Sequence, residues 1–194
     1  KKEEDFYFSL PAAPERVRID PELTWLAKVS FTPPVAMLHA QLADPKDVVG
    51  RLLAVEALGK RKDKTSVDKL KEALNEDRFY GVRQAASQAL RSIGTEAAFD
   101  ALRTSARQPD ARVRRQVVTD IGSFYKPEAL AALKKSLAGE KNPAVRAAAI
   151  KALAGFGDAG AAGLIRKALA SNSYRHELGD AAVTALSKQD DPAG

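Results

Sequence analysis

Hydrophobic and small residues recur along the chain at the spacing of one face of an α-helix. From Val145 to Phe156 they stand at positions i, i+3, i+4, i+7, i+8 and i+11, with Arg146 at the edge of the stripe. Asn142 is a typical N-cap residue and Pro143 suits a first helical turn. The pattern predicts a helix whose buried face is mostly alanine, so that another helix can approach it closely.

This helix pattern occurs five times, and an arginine column sets its register. The column positions are Arg51, Arg83, Arg114, Arg146 and, in the last copy, Gly179. A second apolar stripe follows each of the first four copies, and a basic residue comes directly after the first position of that stripe. This second basic column is Lys71, Arg103, Lys134 and Arg166. Two helices in each unit of about 32 residues are typical of a helical solenoid, in which neighbouring units bury each other's apolar faces.

Residues 1–32 show a different pattern. Phe6 and Phe8 alternate with polar or amphipathic residues, Val17 and Ile19 do the same, and residues 25–31 form a further β-prone run. Two or three short strands make a poor sheet on their own. We therefore expect this segment either to lean on the first helices or to be the tail of an upstream β-sandwich.

The repeated first helix resembles that of the HEAT-repeat family. The stretches VRQAASQAL (82–90) and VRAAAIKAL (145–153) carry the resemblance, which extends over about residues 44–190. Asp47, Asp110 and Asn142 match the polar residue that opens the helix, whereas two copies depart by having Phe79 and Arg175 there. The resemblance implies an all-α, α-α superhelix of about five helical hairpins over residues 33–194, preceded by the short β segment and beginning with one extra helix near 34–43. It implies little about activity.

The N-terminal block has a second resemblance. Its order of Pro14, Val17, Asp20-Pro21 and Lys28, followed by helices, resembles the junction between the β-sandwich and the C-terminal helical domain of aminopeptidase N, a zinc metallopeptidase. This resemblance implies a non-catalytic domain that walls the peptide entrance of a hydrolase. Its partners would be the upstream catalytic and β-sandwich domains of its own chain, and it would contact peptide substrate or form a homodimer. Zinc is then expected in the upstream domain of the parent, and no cofactor in residues 1–194.

Charge is unevenly distributed, and it favours a different kind of partner. Residues 1–44 carry five Lys/Arg and seven Asp/Glu, whereas residues 45–194 carry 26 and 18, a net charge of +8 on the repeats. The favoured interpretation of this bias is a solubilising face, and the alternative is an array that attracts nucleic acid, an acidic partner or an anionic membrane surface. The densest basic cluster, GKRKDK (59–64), lacks the interleaved aromatics of a nucleic-acid reader, so nucleic acid is the less favoured partner. The alternative function is therefore a free-standing HEAT scaffold that binds an acidic protein or nucleic-acid partner on its concave face.

Residues suited to catalysis or metal binding are sparse. The chain has no cysteine, and its only histidines are His39 and His176. The sequence HELGD (176–180) begins like the zinc motif HExxH but ends in Asp, with no third ligand in view. We therefore predict no catalytic residue and no metal ligand in this chain. A third possibility, an enzyme built on the solenoid itself as certain DNA glycosylases and bilin lyases are, is disfavoured because no buried cluster of Asp, Glu or Trp stands out.

The two basic columns each have two interpretations. The arginine column either forms a ladder of hydrogen bonds between neighbouring repeats or presents a ridge to an anionic ligand. The ladder is favoured because the column flanks the buried stripe. The second column either packs its aliphatic stems while keeping its charges in water or offers a surface to an acidic partner. No apolar run reaches the ~20 residues of a membrane span, and the compartment is left open between cytoplasm and periplasm.

Overall fold

The computed structural model of the chain describes residues 4–22 and 24–189, and the regular structure in this part is helical. The helices are α1 (Val35–Leu42), α2 (Val48–Gly59), α3 (Lys64–Glu76), α4 (Tyr80–Ile93), α5 (Glu96–Thr104), α6 (Ala111–Ile121), α7 (Pro127–Gly139), α8 (Pro143–Leu153), α9 (Ala159–Leu169) and α10 (Glu177–Gln189), with a short 3₁₀ turn at Tyr174–His176 before α10.

The helices form a two-layer solenoid. One layer contains α1 and the first helices of the repeats, α2, α4, α6, α8 and α10, and each of these packs against the next along the stack. The second helices, α3, α5, α7 and α9, each pack against the first helix of their own hairpin and against the first helix of the following one. The predicted all-α superhelix is confirmed, with four complete hairpins and a fifth first helix in the described part of the chain.

Capping residues explain where most first helices begin. The side chains of Asp47, Asp110 and Asn142 accept backbone N–H groups at the starts of α2, α6 and α8, as predicted. Phe79 precedes α4 and caps nothing with its side chain. Instead, the carboxylate of Asp77 accepts the Phe79 backbone N–H at 2.8 Å, so that an acceptor outside the helix satisfies that donor.

Small residues set the distance between first helices. A Cβ atom added to Gly59 would lie 2.8 Å from the Cβ of Ala89, and one added to Gly122 would lie 2.6 Å from the Cβ of Ala152. Adjacent first helices therefore approach more closely than larger side chains would allow. The core between the layers is built from larger aliphatic residues such as Leu58, Leu90 and Leu153, which are fully buried.

The predicted N-terminal β segment is wrong for the described residues 4–22 and 24–32, which form no strand. Residues 1–3 and 23, which the prediction also included, lie outside the described part. An alternating pattern needs neighbouring strands for its backbone groups. Here the Asp20 side chain, rather than a neighbouring strand, accepts hydrogen bonds from the backbone. Its carboxylate accepts the backbone N–H groups of Thr24 at 3.0 Å and Trp25 at 2.7 Å.

Two arginines tie the N-terminal segment to the first repeat. Arg18 Nε donates to the Asp47 carboxylate at 2.7 Å, and Arg16 forms an ion pair with Asp44. The aromatic residues remain in solvent, with Phe8 82% and Trp25 67% exposed. The segment therefore leans on the start of α2 through charges rather than through its apolar residues.

Candidate functional site

A groove of about 680 Å³ runs across the exposed side of three consecutive first helices, α6, α8 and α10. Its floor consists of small residues, including Gly122, Ala148 and Ala152, and its rim is polar. The floor is shallow because the alanine-rich faces that let the helices pack closely also leave few side chains projecting outward. We call this feature the first-helix groove.

Charges of both signs line the first-helix groove. Lys151 and Lys188 stand in the last turns of α8 and α10, and Arg115 lies on α6. Glu177 and Asp180 occupy the first turn of α10. Among the residues that the structure describes, none of these five side chains has an ion-pair partner. The groove is therefore a surface whose charges remain available to a bound molecule.

A buried polar cluster lies in the seam between α4 and α6, beside this groove. Asp120 is fully buried, and its carboxylate accepts hydrogen bonds from Ser87 Oγ at 2.6 Å and from Gln116 Nε2 at 3.1 Å. Arg91 Nε lies 3.6 Å from the same carboxylate. We call these four residues the seam cluster. Burial raises the pKa of Asp120, and the bonds from Ser87 and Gln116 and the charge of Arg91 only partly oppose it.

The seam cluster was missed in the sequence, although a signal is present. Asp120 occupies the register position that alanine fills in the other repeats, namely Ala57, Ala89, Ala152 and Ala185. Ser87 likewise replaces a β-branched residue, since its equivalents are Val55, Val118, Ile150 and Val183. Two polar exceptions on the buried faces of neighbouring repeats predict a pair.

Two members of the arginine column bind carboxylates inside the chain. Arg51 donates from Nε to Asp77 Oδ2 at 2.7 Å and from Nη2 to Oδ1 at 3.3 Å. Arg114 makes the same two bonds to Glu140, at 2.7 and 3.3 Å. Burial raises the pKa of Glu140, but the hydrogen bonds from Arg114 and from backbone N–H groups lower it by a larger amount. The pKa of Glu140 therefore lies below its ordinary value. Both carboxylates stand at the end of the second helix of the same repeat.

The other two members of the column lack this arrangement. The Nε atoms of Arg83 and Arg146 are buried and have no hydrogen-bond partner among the described residues. The positions equivalent to Asp77 and Glu140 are Pro109 and Asn172, counted in the same register. The column therefore alternates between internally paired and unpaired guanidinium groups along the stack.

The second basic column does not form one site. Lys134 Nζ bonds to the Asp158 carboxylate at 2.6 Å, which links α7 to the start of α9 in the next repeat. Arg103 bonds to Asp100 on its own helix at 2.9 Å. Lys71 is partly buried and Arg166 is exposed. These side chains are distributed along the second-helix layer, one in each repeat.

The two histidines lie far apart in the fold. His39 is in α1 with a buried Nε2 atom for which the described residues offer no hydrogen-bond partner, and His176 is exposed in the turn before α10. Within residues 4–22 and 24–189, no group of three His, Cys, Asp or Glu side chains is placed to hold a metal ion. None of the described helices is both long enough and apolar enough to cross a bilayer.

Comparison with known families matches the HEAT-repeat model to residues 35–119 and again to residues 104–187. These two matches cover most of the chain and coincide with the described helices from α1 to α10. The chain belongs to the HEAT-repeat family. The family assignment accounts for the two-layer stack and for the repeated arginine register of this HEAT-repeat protein.

Solved structures share the fold. The complex of CpcE and CpcF of phycocyanin lyase from Nostoc sp. PCC7120 matches with a TM-score of 0.62 and 23% identity, over 88% of this chain and 70% of that one. Human deoxyhypusine hydroxylase in complex with glycerol matches with a TM-score of 0.54 and 19% identity, over 80% and 73%. Comparison with curated proteins gives no match. At these identities the likeness establishes the architecture alone.

The prediction that this HEAT-repeat protein is a non-catalytic piece of a zinc aminopeptidase is wrong. The HEAT match accounts for the helices, and the two structures above are a lyase complex and a hydroxylase, not peptidases. The described N-terminal residues form no sandwich strand. The N-terminal stretch that suggested the aminopeptidase junction contains Asp20-Pro21. These residues form a local turn closed by the Asp20 side chain, and such a turn is not specific to one family.

Proposed function

We propose that this HEAT-repeat protein is a scaffold that binds a protein partner in the first-helix groove. The observation that carries the proposal is the groove itself, where α6, α8 and α10 expose small side chains and unpaired charges on one continuous surface. A row of parallel repeat faces offers an extended binding surface, which is how solenoids use their shape. The CpcE–CpcF structure supports the proposal, because that protein of the same fold is found in a complex.

The charges of the groove define the chemistry of the partner. Lys151 and Lys188 favour acidic side chains at the end of the groove formed by the last helical turns. Glu177 and Asp180 favour basic side chains at the start of α10. The partner is therefore a protein segment with charges of both signs and small apolar residues between them, which can approach the alanine floor closely.

A protein partner is favoured over nucleic acid by the same charges. The repeats carry a net charge of +8, which would attract any polyanion. A nucleic-acid strand in the groove would, however, bring its phosphates against Glu177 and Asp180. A steep fall of affinity for duplex DNA with salt, together with loss of that binding in a Lys151→Glu variant, would favour nucleic acid instead.

Site-specific photocrosslinking tests the proposal. A benzophenone amino acid is placed at Thr119, which lines the first-helix groove, and at Lys135, which is exposed on the second-helix layer. We expect a partner protein that crosslinks from Thr119 and not from Lys135. A partner recovered equally from both positions, or from Lys135 alone, would contradict the groove as the binding site.

The identified partner is then used in a matched charge-reversal experiment. Lys151→Glu and Lys135→Glu change the net charge equally, and both lysines are exposed on helices. We expect Lys151→Glu to weaken binding by about tenfold, because one attraction becomes a repulsion, and Lys135→Glu to leave it nearly unchanged. Equal losses for the two variants would mean that only the overall charge matters.

A further inference from the structure

The paired arginines show what the column binds when a suitable group is present. Arg51 and Arg114 each use Nε and Nη2 to hold the two oxygens of one carboxylate, at 2.7 and 3.3 Å in both cases. Two parallel N–H···O bonds of this kind match the planar fork of guanidinium to the planar shape of carboxylate. The repeat therefore contains a carboxylate position next to the column arginine.

In the alternate repeats this position lacks an internal carboxylate. Pro109 has no side-chain acceptor, and Asn172 has one neutral carbonyl oxygen, so neither can replace Asp77 or Glu140. The structure shows the consequence, since the buried Nε atoms of Arg83 and Arg146 have no partner among the described residues. A buried donor without an acceptor is unfavourable, and an incoming anion would relieve that cost.

We propose that Arg146 is a binding position for a carboxylate side chain of the partner protein, and that Arg83 is a second, weaker one. The proposal rests on the scaffold function proposed above. The two positions are two repeats apart on the same edge of the stack, so a partner that occupies both lies along the solenoid. A carboxylate is favoured over a phosphate because the equivalent positions of Arg51 and Arg114 already fit one.

Arg83 is the weaker position because an internal anion lies near it. The pKa of Asp110 is lowered to about 2, chiefly by its hydrogen bonds from Arg112, and the charge of Arg83 is a smaller contribution in the same direction. Asp110 therefore offsets part of the Arg83 charge without satisfying its Nε. The position equivalent to Asp110 in the Arg146 repeat, counted in the same register, is Ser173, which carries no charge.

Nuclear magnetic resonance of arginine side chains tests the proposal on the full chain. Hexaglutamate peptide is titrated into ¹⁵N-labelled protein, and the Nε–H resonances of the four column arginines are followed. We expect the Arg146 resonance to shift until it saturates and the Arg83 resonance to shift at higher peptide concentration. The resonances of Arg51 and Arg114 should not shift, because internal carboxylates already occupy their binding positions. Inorganic phosphate at matched concentration and ionic strength is the comparison.

A variant that fills the position distinguishes binding from misfolding. Asn172→Asp places a carboxylate where Asp77 and Glu140 stand in their repeats, so we expect it to weaken the hexaglutamate shift at Arg146 by about tenfold while the protein stays folded. Lys141→Gln makes the same change of net charge, −1, without adding a carboxylate, and should weaken it much less. Arg146→Gln removes the resonance of the stronger position and should leave the response of Arg83 at higher peptide concentration.

Three results would overturn the proposal. They are no shift of Arg146 with hexaglutamate, an equal shift with phosphate, and an Asn172→Asp variant that binds as the unmodified chain does. These results are independent of the crosslinking experiment on the groove. If Arg146 binds hexaglutamate but no partner crosslinks from Thr119, the groove proposal fails and the carboxylate position stands. If a partner crosslinks from Thr119 but Arg146 does not respond to hexaglutamate, the carboxylate position fails and the groove proposal stands.

Discussion

Arg114 joins three segments of the chain at the edge of the stack. Its guanidinium bonds to the carboxylate of Glu140 at the end of α7, and Nη1 bonds to the backbone carbonyls of Gln108 and Pro109 at 2.9 Å. The two carbonyls belong to the loop that enters the repeat, and Glu140 belongs to the loop that leaves it. The residue therefore holds the two ends of one hairpin together.

Removing this side chain should destabilise the protein. We expect Arg114→Ala to lower the free energy of unfolding by about 1–3 kcal/mol, because charge-assisted bonds are lost and Glu140 keeps its largely buried carboxylate. Lys135→Ala is the control, and an exposed change of this kind stays within about 0.5 kcal/mol. Urea denaturation measures both. Equal unfolding midpoints for the two variants would show that Arg114 does not stabilise the stack.

Asp120 presents the opposite case, a carboxylate whose charge opposes folding. Its pKa is raised by burial above the value of 3.8 that applies to an exposed aspartate. The folded state therefore binds its proton more tightly than the unfolded state does. The associated stability is fully present below the unfolded pKa and is lost as the pH rises through the folded pKa.

Asp120→Asn should therefore gain stability relative to the unmodified chain as the pH rises. An amide cannot ionise, and Gln116 can turn its own amide to accept the new N–H group, while Ser87 keeps an acceptor. We expect the difference in unfolding free energy to grow as the pH rises above about 4, and to level off once Asp120 is ionised in the folded state as well. Asp100→Asn reports the effect of removing an exposed charge. A difference for Asp120→Asn that stays constant or falls over this range would contradict the interpretation.

At the scale of helices, close packing of the first layer depends on a few positions without a side chain. Gly122 follows α6 in an ordinary right-handed conformation, with φ of −62°, so its backbone would accept alanine. What excludes a Cβ atom is the neighbouring helix, because the Cβ of Ala152 would lie only 2.6 Å away. Packing between repeats, rather than local conformation, requires glycine here.

Gly122→Ala should consequently separate or tilt α6 and α8. We expect a loss of about 1–3 kcal/mol in the free energy of unfolding, the usual cost of overpacking. Gly163→Ala is the matched control, since Gly163 lies inside α9 and no atom of the described residues would come within 4 Å of an added Cβ. That change should stabilise the protein by up to about 1 kcal/mol through helix propensity. Thermal melting that shows the same sign for both variants would contradict this account.

At the scale of the whole molecule, the helical stack and the N-terminal segment are held by different forces. The stack buries a continuous apolar core from Leu38 to Ala185. The segment before α1 attaches through Arg16 and Arg18 to acidic residues around the start of α2. Exposed aromatics such as Phe6, 72% exposed, favour self-association because they leave apolar surface in water.

A chain of residues 33–194 should fold as a helical array without the segment. We expect the far-ultraviolet circular dichroism of a helical protein and a loss of less than about 2 kcal/mol in unfolding free energy, because surface ion pairs contribute about 0–1 kcal/mol each. Arg18→Ala in the full chain measures one of these ion pairs separately. An unfolded truncated chain would show that the segment is an integral cap of the solenoid.

The solenoid itself was predictable because its signals are local or strictly periodic. Caps such as Asp47 and Asn142 act within one turn of their own helices, and the arginine register repeats the same helix pair. The first-helix groove was not predictable, because Arg115, Lys151 and Asp180 come together only when three helices stack. The N-terminal strands were predicted incorrectly for a related reason, since alternation is local but a strand exists only where another strand pairs with it.

The sequence by itself determined the helices, their order and their two-helix repeat, because helix spacing and capping depend on residues a few positions apart. The tertiary structure alone decided which column arginines are paired. Arg114 and Arg146 occupy the same register position, yet Arg114 binds Glu140, whereas the buried Nε of Arg146 has no partner within the part of the chain that the structure describes. That outcome depends on which residue the fold places beside each guanidinium, across a whole repeat. The sequence marks Asp120 and Ser87 as polar exceptions in their repeats, but their contact exists only between stacked helices.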